Sequence, residues 1–543
     1  MEYDPALIAR TKNGNFVGKR NEKGTIVFRG IPYAKFAGRW KPVKPPDSMD
    51  GIIEAYENGP ACPQISYRNW YASADKVKKD EENCFTLCVA SSSLNGKKPV
   101  FVFIHGGANI TGGYFDPRYD LQHFVDRNPD IVFVVFNYRL GPLGTLYLGE
   151  VTDDPDYQLA GNLTLLDQLA AFRWVKENIS AFGGDPNNVT IGGRSSGSAS
   201  VTLHLTIKES WPYWNRVFAQ SGTTFNSRPL TISESGEATR RFMGYRGCRT
   251  VEQMLELTPD MLLSKFSLET NITFTADGLT LPIDLNAAIC DGADELVSGK
   301  DILISCANGD MDALTMDVNS IAITRDNAEF SITRMLSSMT ERELPYYINA
   351  FLSRCNSNIA AMKFLRQFTK NNAHTLIEMY LNKYPEENPF FVISDCQNDF
   401  CMENPLLLEC DGMSRQNRVY HYIWTWAPEA IAPLRGYHGI DAPFMLNTQA
   451  EDELIADYFG TPEASHMFDI AQTMMSNFIR RGSPDTPNLK AIAYNADTRP
   501  VMIIDYDPHC ELDPRKIDRE LLYELFQRCE SEEKEGKEDE YTI

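Results

Sequence analysis

The chain has 543 residues, 43 % of them hydrophobic and 23 % charged, a balance that excludes wholesale disorder and fibrous repeats. Its 74 Asp and Glu outweigh 52 Lys and Arg, and the formal charge of −22 argues against nucleic acid as a partner and weakly favours neutral or cationic substrates. The longest apolar runs, at 100–104 and 131–136, fall far short of the ~18–20 residues that cross a bilayer, so no transmembrane segment is expected.

In chain order, the opening Met1-Glu2-Tyr3-Asp4-Pro5 lacks both a basic and an apolar region, and no secretory signal is expected. The 12 Cys are scattered along a long chain, which suits free thiols and a cytoplasmic enzyme. Cys84 and Cys88 have no second pair to complete a zinc site, and no metal is expected. The runs 100–104 and 131–136 are apolar without alternation, as in strands of a mostly parallel sheet covered on both faces. Between 161 and 179, Leu165, Leu166, Leu169, Ala170, Phe172 and Trp174 recur at helical spacing, and Gly183-Gly184-Asp185-Pro186 marks a turn. A short strand is read at 189–191. The stretches at about 224–300 and 327–383 read as helical insertions, and further strands are read at 302–305 and 419–426. With no linker or repeat, residues 1–529 are expected to form a single domain. The charge run at 530–543 reads as a disordered acidic tail.

The strongest chemical signal is Gly193-Arg194-Ser195-Ser196-Gly197, set between a strand and a helix-compatible stretch. Small residues on either side of a serine let the backbone turn sharply and expose Oγ, which points to Ser195 as a nucleophile. His105-Gly106-Gly107-Ala108 directly follows the 100–104 strand. A loop so poor in side chains lets backbone N–H groups approach a developing oxyanion. Gly14 to Lys19 has the wrong spacing for a phosphate loop.

Several further stretches carry a resemblance. They are 28–34 (Phe-Arg-Gly-Ile-Pro-Tyr-Ala), 137–141 (Asn-Tyr-Arg-Leu-Gly), Gly161-Asn162, Asp167-Gln168, 182–187 (Phe-Gly-Gly-Asp-Pro-Asn) and Gln220-Ser221-Gly222. In this order they resemble the type-B carboxylesterase/cholinesterase family of α/β-hydrolases over most of the chain. The resemblance implies an α/β-hydrolase fold with helical insertions over the active site. It also implies a Ser–acid–His triad, an oxyanion hole at Gly107, Ala108 and Ser196, and ester hydrolysis without a cofactor.

On the same resemblance His438, in Arg435-Gly436-Tyr437-His438-Gly439, carries over as the base, and Asp441 fills the acidic place three residues on. The acid falls on Asp310 when the stretch is aligned from the 302–305 strand, with Asp312 as the alternative. The family has Glu at the acid, and an alignment on Asn308 puts Met311 there instead. Further departures are Arg194 where Glu is usual, Ala108-Asn109 where Gly-Phe is common, and Arg435 where Gly is common. Arg194 is expected in a local ion pair, or else on an acidic substrate group. Cys62 and Cys84 match the family's first disulfide, and their pairing stays open. Cys248 lacks the partner of the second. The expected reaction is cleavage of a small-molecule carboxylic ester through an acyl-enzyme. A thioester or amide is an alternative bond, and a catalytically silent binding or adhesion protein is the rival from another class.

Overall fold

The computed structural model describes residues 3–65, 76–224, 229–264, 272–290, 295–310, 398–429, 435–451 and 455–520, together with positions 382 and 395. Asp312, most of 327–383 and the 530–543 tail lie outside the described residues.

A small N-terminal sheet joins β1 (Ile8–Thr11), β2 (Gly14–Val17) and β5 (Ile52–Glu54). The main sheet contains β3 (Lys19–Arg20), β4 (Ile26–Pro32), β6 (Thr86–Ser91), β7 (Lys98–Ile104), β8 (Val132–Phe136), β9 (Gly184–Arg194) and β10 (Arg216–Gln220). It continues with β11 (Asp301–Ala307), β12 (Arg418–Trp424), β13 (Pro500–Ile504) and β14 (His509–Leu512). Their order across the sheet is β14-β13-β12-β11-β10-β9-β7-β8-β6-β4-β3. The run from β13 to β8 is parallel, and β14, β6, β4 and β3 pair antiparallel. This is the mixed, mostly parallel sheet expected from its unbroken apolar strands.

Both faces of the central strands are buried. Val100, Val102, Ile104, Val132, Val134, Ile191 and Val217 pack to one side, with Leu165, Phe172 and Val175 of the Leu163–Asn178 helix. Phe101, Phe103, Phe133, Phe218 and Leu303 pack to the other, with Met467, Met474 and Phe478 of the Pro462–Arg481 helix. Adjacent residues thus serve opposite cores, the period of a pleated strand. The Pro462–Arg481 helix has plain boundaries. Thr461 accepts from the Ala464 N–H, Pro462 opens the first turn, and Gly482 closes the last at φ 74°.

The motif residues at 137–141 and 167–168 hold this frame from inside. Arg139 and Asp167 form a buried bidentate ion pair at 2.6 and 2.8 Å. Gln168 reaches the buried His204 at 3.0 Å. The Tyr138 hydroxyl donates to the His105 carbonyl at 2.6 Å, and its ring stacks on the His105 ring at 4.3 Å. The loop after β7 is therefore seated on a structural motif that lies more than 30 residues away.

The parallel register brings five C-terminal strand ends to one edge. Ile104 lies beside Gly193, Arg194 beside Gln220, Gln220 beside Ser305, and Ala307 beside Trp424. In an open parallel sheet this edge is where ligands bind.

Candidate active site

The chain leaves β9 at Arg194, turns at Ser195 and enters the Ser196–Leu203 helix. Ser195 sits at φ 57° and ψ −123°, outside the ordinary regions for a residue with a Cβ, so the turn stores strain at that position. It is held by its surroundings. The Ser195 N–H donates to the Gln220 carbonyl at 2.8 Å. A Cβ on Gly193 would collide with the Gly197 main chain, and one on Gly197 with the Ile104 carbonyl. Both glycines are thus required by close approach. The side chain of Ser195 remains half-buried.

After β7, Gly107, Ala108 and Asn109 adopt φ values of 115°, 55° and 58° in succession. The turn is closed by the Ile110 and Thr111 N–H groups, which donate to the Gly107 carbonyl at 3.0 and 3.1 Å. The Asn109 N–H donates to Ser196 Oγ at 3.1 Å, tying this loop to the start of the Ser196–Leu203 helix. The Gly107 and Ala108 N–H groups donate to no described residue. Ser196 is the first residue of its helix, so its N–H is one of the end donors without an intrahelical acceptor. Three backbone donors therefore remain near the turn at Ser195, at the positive end of a helix dipole. His105 itself is buried and stacked on Tyr138, and burial pushes its pKa down to about 4.

Asp310 and His438 come together from loops after adjacent strands. The Asn308 N–H donates to the Trp424 carbonyl at 3.0 Å, and the Gly309 N–H to the Gly436 carbonyl at 2.9 Å. Gly436 returns its own N–H to Asn308 Oδ1 at 2.8 Å. With the loops so laced, Asp310 is fully buried, and its Oδ1 lies 2.9 Å from His438 Nδ1. Its other oxygen, Oδ2, accepts the Ala307 N–H at 2.7 Å. A carboxylate in this place can only accept, so the geometry suits a ring that donates from Nδ1 and presents Nε2 as an acceptor. His438 keeps 19 % of its side chain exposed, so the ring has access to the site. No hydrogen bond joins the Ser195 hydroxyl to a described residue, and such contacts commonly tighten only with substrate present.

Asp312, the alternative acid, lies outside the described residues. Arg194 reaches the His438 loop, and its charge also acts on the buried Asp441. Its Nη2 donates to the His438 carbonyl at 3.0 Å, and the guanidinium lies against Gly439. Asp441 is fully buried, accepting from the Tyr422 hydroxyl at 2.7 Å and from Gln220 Nε2 at 3.3 Å. Burial raises its pKa, against the pull of the Tyr422 hydrogen bond and the Arg194 charge. Sequence reasoning quoted Gln220 as part of a motif but missed its place between the Ser195 amide and Asp441. No local signal marks that role, because it is set by strand register.

Cys62 and Cys84 bring their buried Sγ atoms to 2.8 Å. Among the described residues, no group of three or more His, Cys, Asp or Glu is arranged for a metal ion. No helix there is long and apolar enough to cross a membrane.

The sequence pattern of the carboxylesterase family matches residues 5–521. The chain is 26 % identical over 533 residues to the para-nitrobenzyl esterase of Bacillus subtilis, covering 95 % of this chain and 98 % of that one. Phenmedipham hydrolase of Pseudarthrobacter oxydans is 34 % identical over 253 residues, 46 % of this chain and 49 % of that one. Among solved structures, the carboxylesterase of Geobacillus stearothermophilus superposes with a TM-score of 0.77 at 27 % identity, over 95 % of this chain and 99 % of that one.

Proposed function

The chain belongs to the carboxylesterase family, and on that premise we propose that Ser195, His438 and Asp310 cleave a carboxylic ester through an acyl-enzyme. The observation that carries this reading is the 2.9 Å contact between Asp310 Oδ1 and His438 Nδ1, at the same sheet edge as the strained turn at Ser195.

Ser195 Oγ attacks the ester carbonyl carbon while His438 Nε2 takes its proton. Asp310 holds the ring in the required tautomer and stabilises the imidazolium that forms. Negative charge develops on the carbonyl oxygen, where the Gly107, Ala108 and Ser196 N–H groups stabilise it. One such donor contributes on the order of 10²–10³ in kcat. The tetrahedral intermediate collapses, His438 returns the proton to the alkoxide, and the alcohol departs. Water activated by His438 then attacks the acyl carbon and releases the acid, regenerating the Ser195 hydroxyl.

The substrate is a small carboxylic ester, and the name of the Bacillus relative makes a p-nitrobenzyl ester the first to try. The sequence argument from the scattered Cys and the incomplete second family disulfide supports a cytoplasmic setting. The test is turnover of p-nitrobenzyl and p-nitrophenyl esters of increasing acyl length, beside the matching thioesters and anilides, by the parent chain and by Ser195→Ala and His438→Ala. The reading requires ester turnover in the parent and a loss of at least ~10³-fold in both variants. A parent chain without turnover on any ester would favour the silent binding protein instead.

A further inference from the structure

Ser195 and His438 sit 243 positions apart in the chain, on separate loops, and proton transfer between them needs a common frame. On the His438 side that frame is visible toward Asp310, through the Asn308–Gly436 and Gly309–Gly436 hydrogen bonds. On the side facing Ser195 it is supplied by the residue next to the serine. Arg194 is the last residue of β9, and its side chain crosses to the other loop. There Nη2 donates to the His438 carbonyl at 3.0 Å.

The guanidinium also lies flat on Gly439. That residue is at φ 79°, and a Cβ there would fall onto the Arg194 guanidinium. The Arg194 charge favours the ionised form of the buried Asp441 against the effect of burial, and Gln220 holds Asp441 through Nε2 at 3.3 Å. The Gln220 carbonyl in turn accepts the Ser195 N–H at 2.8 Å. A ring of hydrogen bonds and one charge attraction thus runs from the His438 carbonyl to Arg194, by charge to Asp441, and through Gln220 back to the Ser195 N–H. The ring touches the main chain of both reacting residues and neither reacting side-chain atom.

We propose that Arg194 is a positioning residue that clamps the His438 loop onto the Ser195 turn. The proposal rests on the reading of Ser195 and His438 given above. It also explains why an arginine suits this position. A planar guanidinium can cover Gly439 and reach a carbonyl at once, whereas an ammonium is a compact point charge. The geometry argues against a role on substrate, because Arg194 Nε is buried and Nη2 is directed at the His438 carbonyl. A displacement of about 1 Å between reacting groups can cost 10²-fold in rate.

The experiment compares Arg194→Met, Arg194→Lys and His438→Ala with the parent chain on one neutral and one carboxylate-bearing p-nitrophenyl ester. Rates are expressed per active site by fluorophosphonate titration, so unfolded material does not count. Arg194→Met, which removes both the donor and the charge, is expected to lower kcat about 10- to 100-fold with KM within about twofold on both esters. Arg194→Lys, which keeps a donor and the charge, is expected to regain at least about fivefold of that loss. Three results would overturn the clamp: kcat per active site within twofold of the parent in Arg194→Met, an effect confined to KM for the carboxylate-bearing ester, or no regain in Arg194→Lys. If the Arg194 variants behave as the parent while His438→Ala is inactive, only the clamp fails. Residual turnover in His438→Ala would instead remove the reading beneath it.

Discussion

Both carboxylate oxygens of Asp310 are engaged inside the protein, one on the Ala307 N–H at 2.7 Å and one on His438 at 2.9 Å. An amide in its place can present its N–H₂ to the ring, which drives the imidazole into the opposite tautomer and removes support for its cation. In a serine-protease template the same change costs about 10⁴ in kcat. Asp310→Asn is accordingly expected to lose at least ~10²-fold in kcat with KM little changed, and Asp312→Asn to stay within a few-fold of the parent. Steady-state kinetics of the two variants decide between them, and the reverse pattern would move the acid to Asp312. Residue types and spacing point to Ser195 through its sharp turn, and the family resemblance carries His438 over. They left Asp310 and Asp312 open, since the choice depends on a turn and on a loop about 125 residues downstream. The reach of Arg194 to a carbonyl 244 positions away carries no local pattern at all.

At the level of elements, the turn after β9 is the most constrained feature of the sheet. Gly197 must pass against the Ile104 carbonyl, and the Phe101 ring fills the space where Gly192 would carry a side chain. Gly197→Ala is expected to force the Ser196–Leu203 helix away from β7 and to shift the backbone donors proposed to hold the oxyanion. The predicted outcome is a loss of ~2 kcal/mol or more in chemical denaturation, together with a fall in kcat larger than the fall in folded fraction. A variant of parental stability and rate would show that the close approach is dispensable. The strand itself illustrates what a sequence hides. It was read only at 189–191, since Asp185-Pro186 and Gly192-Gly193 look like breakers, yet β9 spans Gly184–Arg194. Its flanking strands, β7 and β10, supply pairing on both sides and override the weak local preference. The apolar runs that became β7 and β8 needed no such help.

At the scale of the whole molecule, three imidazoles among the described residues are folded into the interior as neutral groups. Burial pushes His105 down to about 4, and His204 and His421 to about 3, from an ordinary value of 6.5. Between pH 6.5 and about 4 the unfolded chain binds these protons and the native chain does not, so unfolding takes up protons. The stability each contributes is complete above pH 6.5 and is lost as pH falls, by up to about 1.4 kcal/mol per pH unit per group. His421 offers the cleanest check, because it is fully buried in β12 and neither ring nitrogen has a hydrogen-bond partner. His421→Leu is expected to be at least as stable as the parent at pH 7 and clearly more stable at pH 5 in urea titrations. Equal acid sensitivity in the two chains would mean that His421 titrates freely in the native state. The large mixed sheet was legible as a class from its apolar strands. Its C-terminal pair β13–β14 was not, because those short segments become strands only by pairing at the sheet edge.

The most direct test of the central claim is to trap the acyl-enzyme. The chain is mixed with excess p-nitrophenyl ester, quenched in acid within the first turnovers and digested, and the peptide masses are read. The account predicts a burst of about one p-nitrophenolate per active site, with the acyl mass on the peptide containing Ser195 and on Ser195 itself. It also predicts neither burst nor adduct in Ser195→Ala. An acyl group on another residue, or a Ser195→Ala chain that still turns over ester at more than about a thousandth of the parental rate, would contradict it.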